Sequence, residues 1–223
     1  MTAKTAAKGG AGAEPSLREL VAPGRCAVVV MELQRGVVGD LACIPELAKA
    51  VSEAGVISQT ARLLGAARAA GVRVIHCTAA FRRDRAGSPG NIPLVNALLR
   101  NPDHLVVGTP AVEVVPDLGP EPEDLVSQRF HGMSPFAGTS LEPWLRSEGA
   151  ATVIAAGVSL NVGITGLVIE AVNRCYRVVV ARDCVAGWPL DYGALVLEKT
   201  VAQLARLATA DEIAAAWRGA GRG

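Results

Sequence analysis

Cys26-Ala-Val-Val-Val-Met-Glu32 is an unbroken apolar run ended by a carboxylate. A strand with one wet face alternates apolar and polar residues, so a run that is apolar at every position needs cover on both faces, as in a parallel sheet between two helical layers. Outward from this stretch the same signature recurs. Val72-Arg-Val-Ile-His-Cys77, Asp124–Gln128, Thr152-Val-Ile-Ala-Ala-Gly157, Arg177-Val-Val-Val-Ala-Arg-Asp183 and Leu207–Thr209 read as further strands. Between them, Ile57–Ala70 sets Ile57, Ala61 and Leu64 on one helical face and stops at Gly71. Ile164, Leu167, Val168, Ala171, Val172 and Cys175 follow the spacing of one buried helical face. Helices are also expected over Ser140–Glu148, capped by Thr139 or Ser140, over Tyr192–Leu204 and over Asp211–Trp217. This alternation predicts an α/β protein of three layers, α/β/α, with right-handed crossovers. Phe81 to Gly119 is broken by Gly87, Pro89, Gly90, Pro93, Pro102, Pro110 and Pro116, which leaves room for one short helix around Leu94–Arg100. So long an excursion predicts a lid or the wall of a site.

The chain has 223 residues, half of them hydrophobic and 19% charged. That suits one large-cored domain, here 17–219, behind a flexible tail of residues 1–16 rich in Ala, Gly, Lys and Thr. Lys and Arg total 22 against 21 Asp and Glu, a net charge of +1 with no basic cluster beyond Arg82-Arg83-Asp84-Arg85, so neither a nucleic-acid nor a membrane partner is expected. No stretch reaches the roughly 18 apolar residues of a spanning helix. Five scattered cysteines without a Cys-x-x-Cys pair argue against a disulfide framework and fit a reducing, cytoplasmic location.

In open parallel sheets ligands bind beyond the carboxyl ends of the strands, which singles out Glu32 and Gln34, His76–Phe81, Arg129–Phe136, Ser159–Gly163 and Asp183–Trp188. Four of these strand ends carry motifs. Val30-Met-Glu32-Leu-Gln34, Ser134-Pro-Phe136-Ala-Gly138-Thr139-Ser-Leu141, Gly157-Val-Ser-Leu-Asn161-Val-Gly163 and Val178-Val-Val-Ala-Arg-Asp183 resemble, in this order, the signatures of the isochorismatase-like (cysteine hydrolase) superfamily. The resemblance covers about Arg25 to Asp211. It implies a six-stranded, mostly parallel, Rossmann-like sheet flanked by helices, a homo-oligomer, a small-molecule substrate, no cofactor, and a non-proline cis bond between Val158 and Ser159.

The usual superfamily site is Asp, Lys and Cys, and this chain departs at all three positions. Glu32 stands at the acidic position. Counting back from Phe136 puts Phe130 at the lysine position, so Arg129 serves as the cation only if the segment is shifted by one residue. Gly163 stands where the cysteine nucleophile would open a helix, and in this the chain resembles true isochorismatases, which have glycine there and cleave a vinyl ether without a covalent enzyme intermediate. The resemblance therefore implies a hydrolase of a small carboxylated or amide-bearing metabolite that works by acid–base chemistry. Glu32, Arg129 and His131 are its candidate catalytic residues, with His131 as the titratable proton carrier that arginine cannot be. Gln34, Phe81, Ser159, Asn161, Gly163 and Trp188 are candidate substrate contacts. Each has a plainer alternative: a structural Glu32–Arg129 pair, a hydrogen-bonded loop His131, ordinary packing of Phe81 and Trp188. A catalytically degenerate member that only binds a ligand or assembles is the competing function, and a nucleophile moved to Cys77 or Cys184 is a third. Asp183 reads as a structural carboxylate capping the loop before Trp188. No metal is expected, because His76, His104 and His131 lack ligand spacing.

Overall fold

The computed structural model describes residues 14–219. Helix α1 (Leu17–Leu20) leads into β1 (Cys26–Met31), α2 (Pro45–Glu53), α3 (Val56–Ala69), β2 (Arg73–Ala79), α4 (Pro93–Leu98) and β3 (Leu125–Arg129). Then follow α5 (Leu141–Ser147), β4 (Thr152–Gly157), α6 (Thr165–Asn173), β5 (Arg177–Val185), α7 (Leu190–Lys199), β6 (Arg206–Ala208) and α8 (Ala210–Arg218). The strands form one sheet in the order β3-β2-β1-β4-β5-β6, and every pair is parallel.

Alternation along β1 explains its unbroken apolar run. Val28 and Val30 pack with Leu47, Leu63, Leu64, Ile213 and Trp217 of α2, α3 and α8, whereas Ala27, Val29 and Met31 pack with residues of α5, α6 and α7. Both faces are therefore core, and each fully buried valine contributes about 1.5–3 kcal/mol. Where β4 ends, a Cβ on Gly157 (φ +111°) would lie 2.1 Å from the Met31 carbonyl oxygen, so only glycine lets the two strand ends approach this closely.

Several sequence expectations need correction at their edges. Of the expected tail, residues 1–13 lie outside the described residues, but Ser16 is folded and caps α1 through a reciprocal capping box with Glu19. The single helix expected over Tyr192–Leu204 is broken at Thr200 into α7 and a short 3-10 turn, Val201–Gln203. Asp183 does not cap the loop before Trp188: its Oδ1 accepts a hydrogen bond from Ala210 N–H at 2.8 Å and anchors the start of α8. Of the two caps offered for α5, Thr139 is the one used, its Oγ1 accepting from Leu141 N–H at 3.2 Å.

Candidate active site

Glu32 leaves β1 with φ +51°, a left-handed conformation that non-glycine residues seldom adopt and that clusters at functional sites. Its N–H donates to Cys77 O at 2.9 Å, which holds the turn. Arg129, paired in the sheet with Ala79 of β2, ends β3. Its guanidinium passes over the end of β2 to meet Glu32, Nη2 against Oε1, with the two side chains only 7% and 15% exposed. The Nε–H donates to Gly132 O at 3.1 Å, while Nη1 is buried without a hydrogen-bond partner. Arg129 is thus the cation beside Glu32, and Phe130 turns its carbonyl to Ser88 Oγ, which donates at 2.7 Å.

The pair sits in the wall of a cavity of about 330 Å³ whose lining is mostly apolar. Of the candidate contacts, Phe81, Ser159, Asn161, Gly163 and Trp188 line it, as does the catalytic candidate His131. Gln34 does not. It is fully buried, and its side-chain amide donates to Ala79 O and Val112 O, both at 2.9 Å, while its Oε1 accepts from Ala79 N–H at 2.8 Å. Gln34 is a brace between the strand ends and the 110–118 segment, not a substrate contact. The expected wall is real: Phe81, Leu94, Val95, Leu98 and Leu105 come from the irregular excursion. His131 is exposed at the rim.

Leu160–Ile164 forms one π-helical turn before α6, a feature frequent at functional sites. Leu160 N–H donates to Ala186 O at 2.8 Å and Thr165 Oγ1 to Leu160 O at 2.7 Å, tying the turn to the end of β5. The Val158–Ser159 peptide is cis, as the resemblance implies. A Cβ on Gly163 would lie 2.8 Å from Val158 O and 3.2 Å from Met31 Cε, so the backbone closes over this position. No cysteine lines the cavity. Burial pushes the Cys77 thiol up to about 12 and raises that of Cys184 as well, which leaves neither with thiolate character at neutral pH.

Sequence reasoning passed over Ser88 and His104 as lining residues. His104 is 4% exposed, its ring centroid 5.8 Å from that of Phe81, and its Nδ1 has no hydrogen-bond partner. Burial, then the charge of Arg85, hold its pKa down to about 4. Its one sequence signal is a polar residue directly before Leu105-Val106 inside a segment otherwise read as irregular.

Residues 26–212 match the isochorismatase domain family. The chain belongs to the isochorismatase family. Among its relatives, a ureidoacrylate amidohydrolase RutB from Methylorubrum extorquens is 36% identical over 156 residues, 63% of this chain and 62% of that protein. A maleamate amidohydrolase from Pseudomonas putida is 27% identical over 129 residues, covering 58% and 59% of the two chains. Each match thus spans less than two thirds of the relative. An isochorismatase family protein from Burkholderia thailandensis superposes with a TM-score of 0.72 at 28% identity, covering 87% of this chain and 96% of that one. Membership in the isochorismatase family accounts for the six-stranded parallel sheet, and the cavity lies at the carboxyl ends of its strands.

Proposed function

We propose that this protein hydrolyses a small amide by acid–base chemistry at Glu32, with Arg129 stabilising charge, without a covalent enzyme intermediate. The observation that carries this reading is the Glu32–Arg129 pair in the wall of a cavity with no cysteine in its lining. Relatives named as amidohydrolases support the C–N bond as the one cleaved. The Glu32 carboxylate takes a proton from water as the oxygen bonds to the amide carbon, and the carbonyl electron pair moves onto oxygen. The Arg129 guanidinium in the cavity wall supplies the positive charge that stabilises that oxygen. Collapse re-forms the carbonyl and breaks the C–N bond, and the proton held by Glu32 passes to the leaving nitrogen, giving a carboxylic acid and an amine or ammonia. Arginine stays protonated throughout, so it stabilises charge and relays nothing, and His131 at the rim is the group able to exchange protons with water. The unpaired cysteines fit a cytoplasmic setting, and the resemblance fits a homo-oligomer.

A second reading, a ligand-binding member without turnover, is favoured by one observation: the backbone has closed on Gly163. Ammonia release from a panel of primary amides, maleamate included, separates the two. We expect turnover that survives iodoacetamide and falls about 10²–10⁴-fold in Glu32→Gln. Turnover unchanged in Glu32→Gln overturns the acid–base role, and saturable amide binding without any ammonia release gives the site to the second reading.

A further inference from the structure

The two helical layers do not present the same outer surface. Among the described residues, six of the eleven large hydrophobic side chains left exposed stand together on one layer: Ile169 and Val172 on α6, Trp188 in the loop after β5, and Leu190, Tyr192 and Leu195 on α7. The opposite layer, α2, α3 and α8, exposes none. Helix α6 leads into β5 and α7 leaves it, so the two are neighbours and their outer faces join. Helical spacing sets Trp188, Tyr192, Leu195 and Lys199 on one stripe, i, i+4, i+7 and i+11, while Gly193 and Val196 turn to the core. A lone chain rarely exposes so continuous an apolar patch, which marks a surface that is covered.

The charges around the patch say what covers it. A membrane surface calls for Lys and Arg on the polar flank, whereas α6 and α7 carry Glu170, Asp191 and Glu198 against Lys199 alone. On α7 acid and base are placed symmetrically: Asp191 in the first turn and Lys199 in the last lie four residues to either side of Leu195. A second α7, related to the first by a two-fold axis at Leu195, runs antiparallel to it. Leu195 then meets the partner's Leu195, and each Asp191 meets the partner's Lys199, so the patch complements itself as an isologous interface must. The helix dipoles agree, the positive end of one helix lying beside the negative end of the other. A parallel arrangement would set like charges together. Within one chain Lys199 pairs only with its exposed neighbour Glu198, a contact weak enough to exchange.

We propose that α7 pairs with α7 of a second copy of this chain across a two-fold axis at Leu195, and that the partner completes the mouth of the cavity. The superfamily resemblance implies a homo-oligomer without naming its surface, and the exposed face of α6 and α7 supplies one. Trp188 joins this surface to the site. It lines the cavity, is 50% exposed, and heads the stripe that continues through Tyr192 and Leu195, so a copy seated on that stripe lies against its open side. The partner thereby keeps water from the mouth and holds Trp188 in place. The pairing is independent of what Glu32 and Arg129 do to a bound molecule.

Sedimentation of the full-length protein over an about hundredfold range of concentration is the test. The parent should form a dimer or an even multiple of one. Leu195→Asp, which puts two carboxylates on the axis, should weaken self-association about 30-fold or more. Leu195 is 53% exposed in one chain, so this substitution leaves the core untouched, and if the variant fails to fold the charge pairs still decide. Asp191→Lys and Lys199→Asp should each weaken association, and combining them should recover it, because the swap restores both pairs only where each residue meets the other. Val126→Asp, at an exposed apolar position on β3, should change nothing. Trp188 gives a readout at the cavity mouth. The acrylamide quenching that Trp188→Phe removes reports its exposure, and that share should be small in the parent and rise in Leu195→Asp. A monomer, an odd-numbered assembly, a dimer indifferent to Leu195→Asp or dissociated by Val126→Asp, single charge variants that their combination does not rescue, or Trp188 quenched alike in the parent and in Leu195→Asp overturns the proposal.

Discussion

Arg129 reaches Glu32 because β2 is the one strand between β3 and β1, and the arginine side chain is long enough to cross its end. Lysine there would bring a single ammonium and lose the fork that serves Glu32 through Nη2 and Gly132 O through Nε. The same closeness explains Cys77 beneath the pair: its thiol is buried, so it packs and does not react. Gly163 is the more telling residue. Were the site a cysteine hydrolase lacking only its sulfur, Gly163→Cys would slot a thiol into prepared space. The structure instead offers Val158 O at 2.8 Å from the new Cβ, which is backbone and cannot swing aside. We expect Gly163→Cys to lose about 1–3 kcal/mol in urea denaturation, the usual cost of overpacking. We also expect its new thiol to label with iodoacetamide no faster than exposed Cys43. A variant of undiminished stability that labels quickly would mean the nucleophile pocket is intact and would reopen the thiol chemistry.

At the scale of elements, the strands were legible because burial on both faces writes itself as continuous β-branched runs, and β1, β4 and β5 stand within a residue or two of their expected bounds. Two helices escaped. The four residues of α1 are too few for a periodic signal, and α2 buries only Leu47, Ala50 and Val51 behind a Pro45 start. The break of the last long helix at Thr200 also had no glycine or proline to announce it. In the site, the strand-end rule located Glu32, Arg129 and the 159–163 turn, since position after a strand is a sequence property. It failed for Gln34 and His104, because whether a polar side chain turns into a cavity or into a backbone brace depends on segments far away, Val112 in one case and Phe81 in the other. Asp183 is the same lesson in reverse: a motif residue that serves a distant helix. Its carboxylate at the positive end of α8 satisfies Ala210 N–H, so Asp183→Ala should cost about 0.5–2 kcal/mol in equilibrium denaturation, as for a lost N-cap. Amide binding should stay unchanged, and a variant that binds poorly while remaining as stable as the parent would place Asp183 in the site after all.

Across the whole molecule the polar groups divide between the two ends of the sheet. The cavity occupies the carboxyl ends of the strands, while a buried cluster sits beside the start of β3, where Asp124 Oδ2 accepts from Arg68 at 2.5 Å and lies 3.3 Å from His76 Nε2. Burial alone would raise the Asp124 carboxyl, but the Arg68 hydrogen bond and charge outweigh it and hold the group below the ordinary carboxylate range. Burial also pushes His76 below its usual value, against the pull of Asp124, and holds His104 down to about 4 from 6.5. All three shifts have one sign in their effect on folding. Below pH 6.5 the unfolded chain protonates His76 and His104 while the native state keeps them neutral, so the unfolded state binds more protons and stability falls with falling pH. For His104 the loss runs from about 6.5 down to its native value of about 4, and Asp124 adds its share at the acid end. Urea midpoints measured at steps between pH 8 and pH 4 should therefore decline steadily below 6.5. In His104→Phe, which keeps the ring against Phe81 and removes the titrating nitrogens, the decline should be shallower over that window while the midpoint at pH 8 is little changed. Parallel curves for the two proteins would mean that His104 titrates alike in the folded and unfolded chains, as a solvated histidine does.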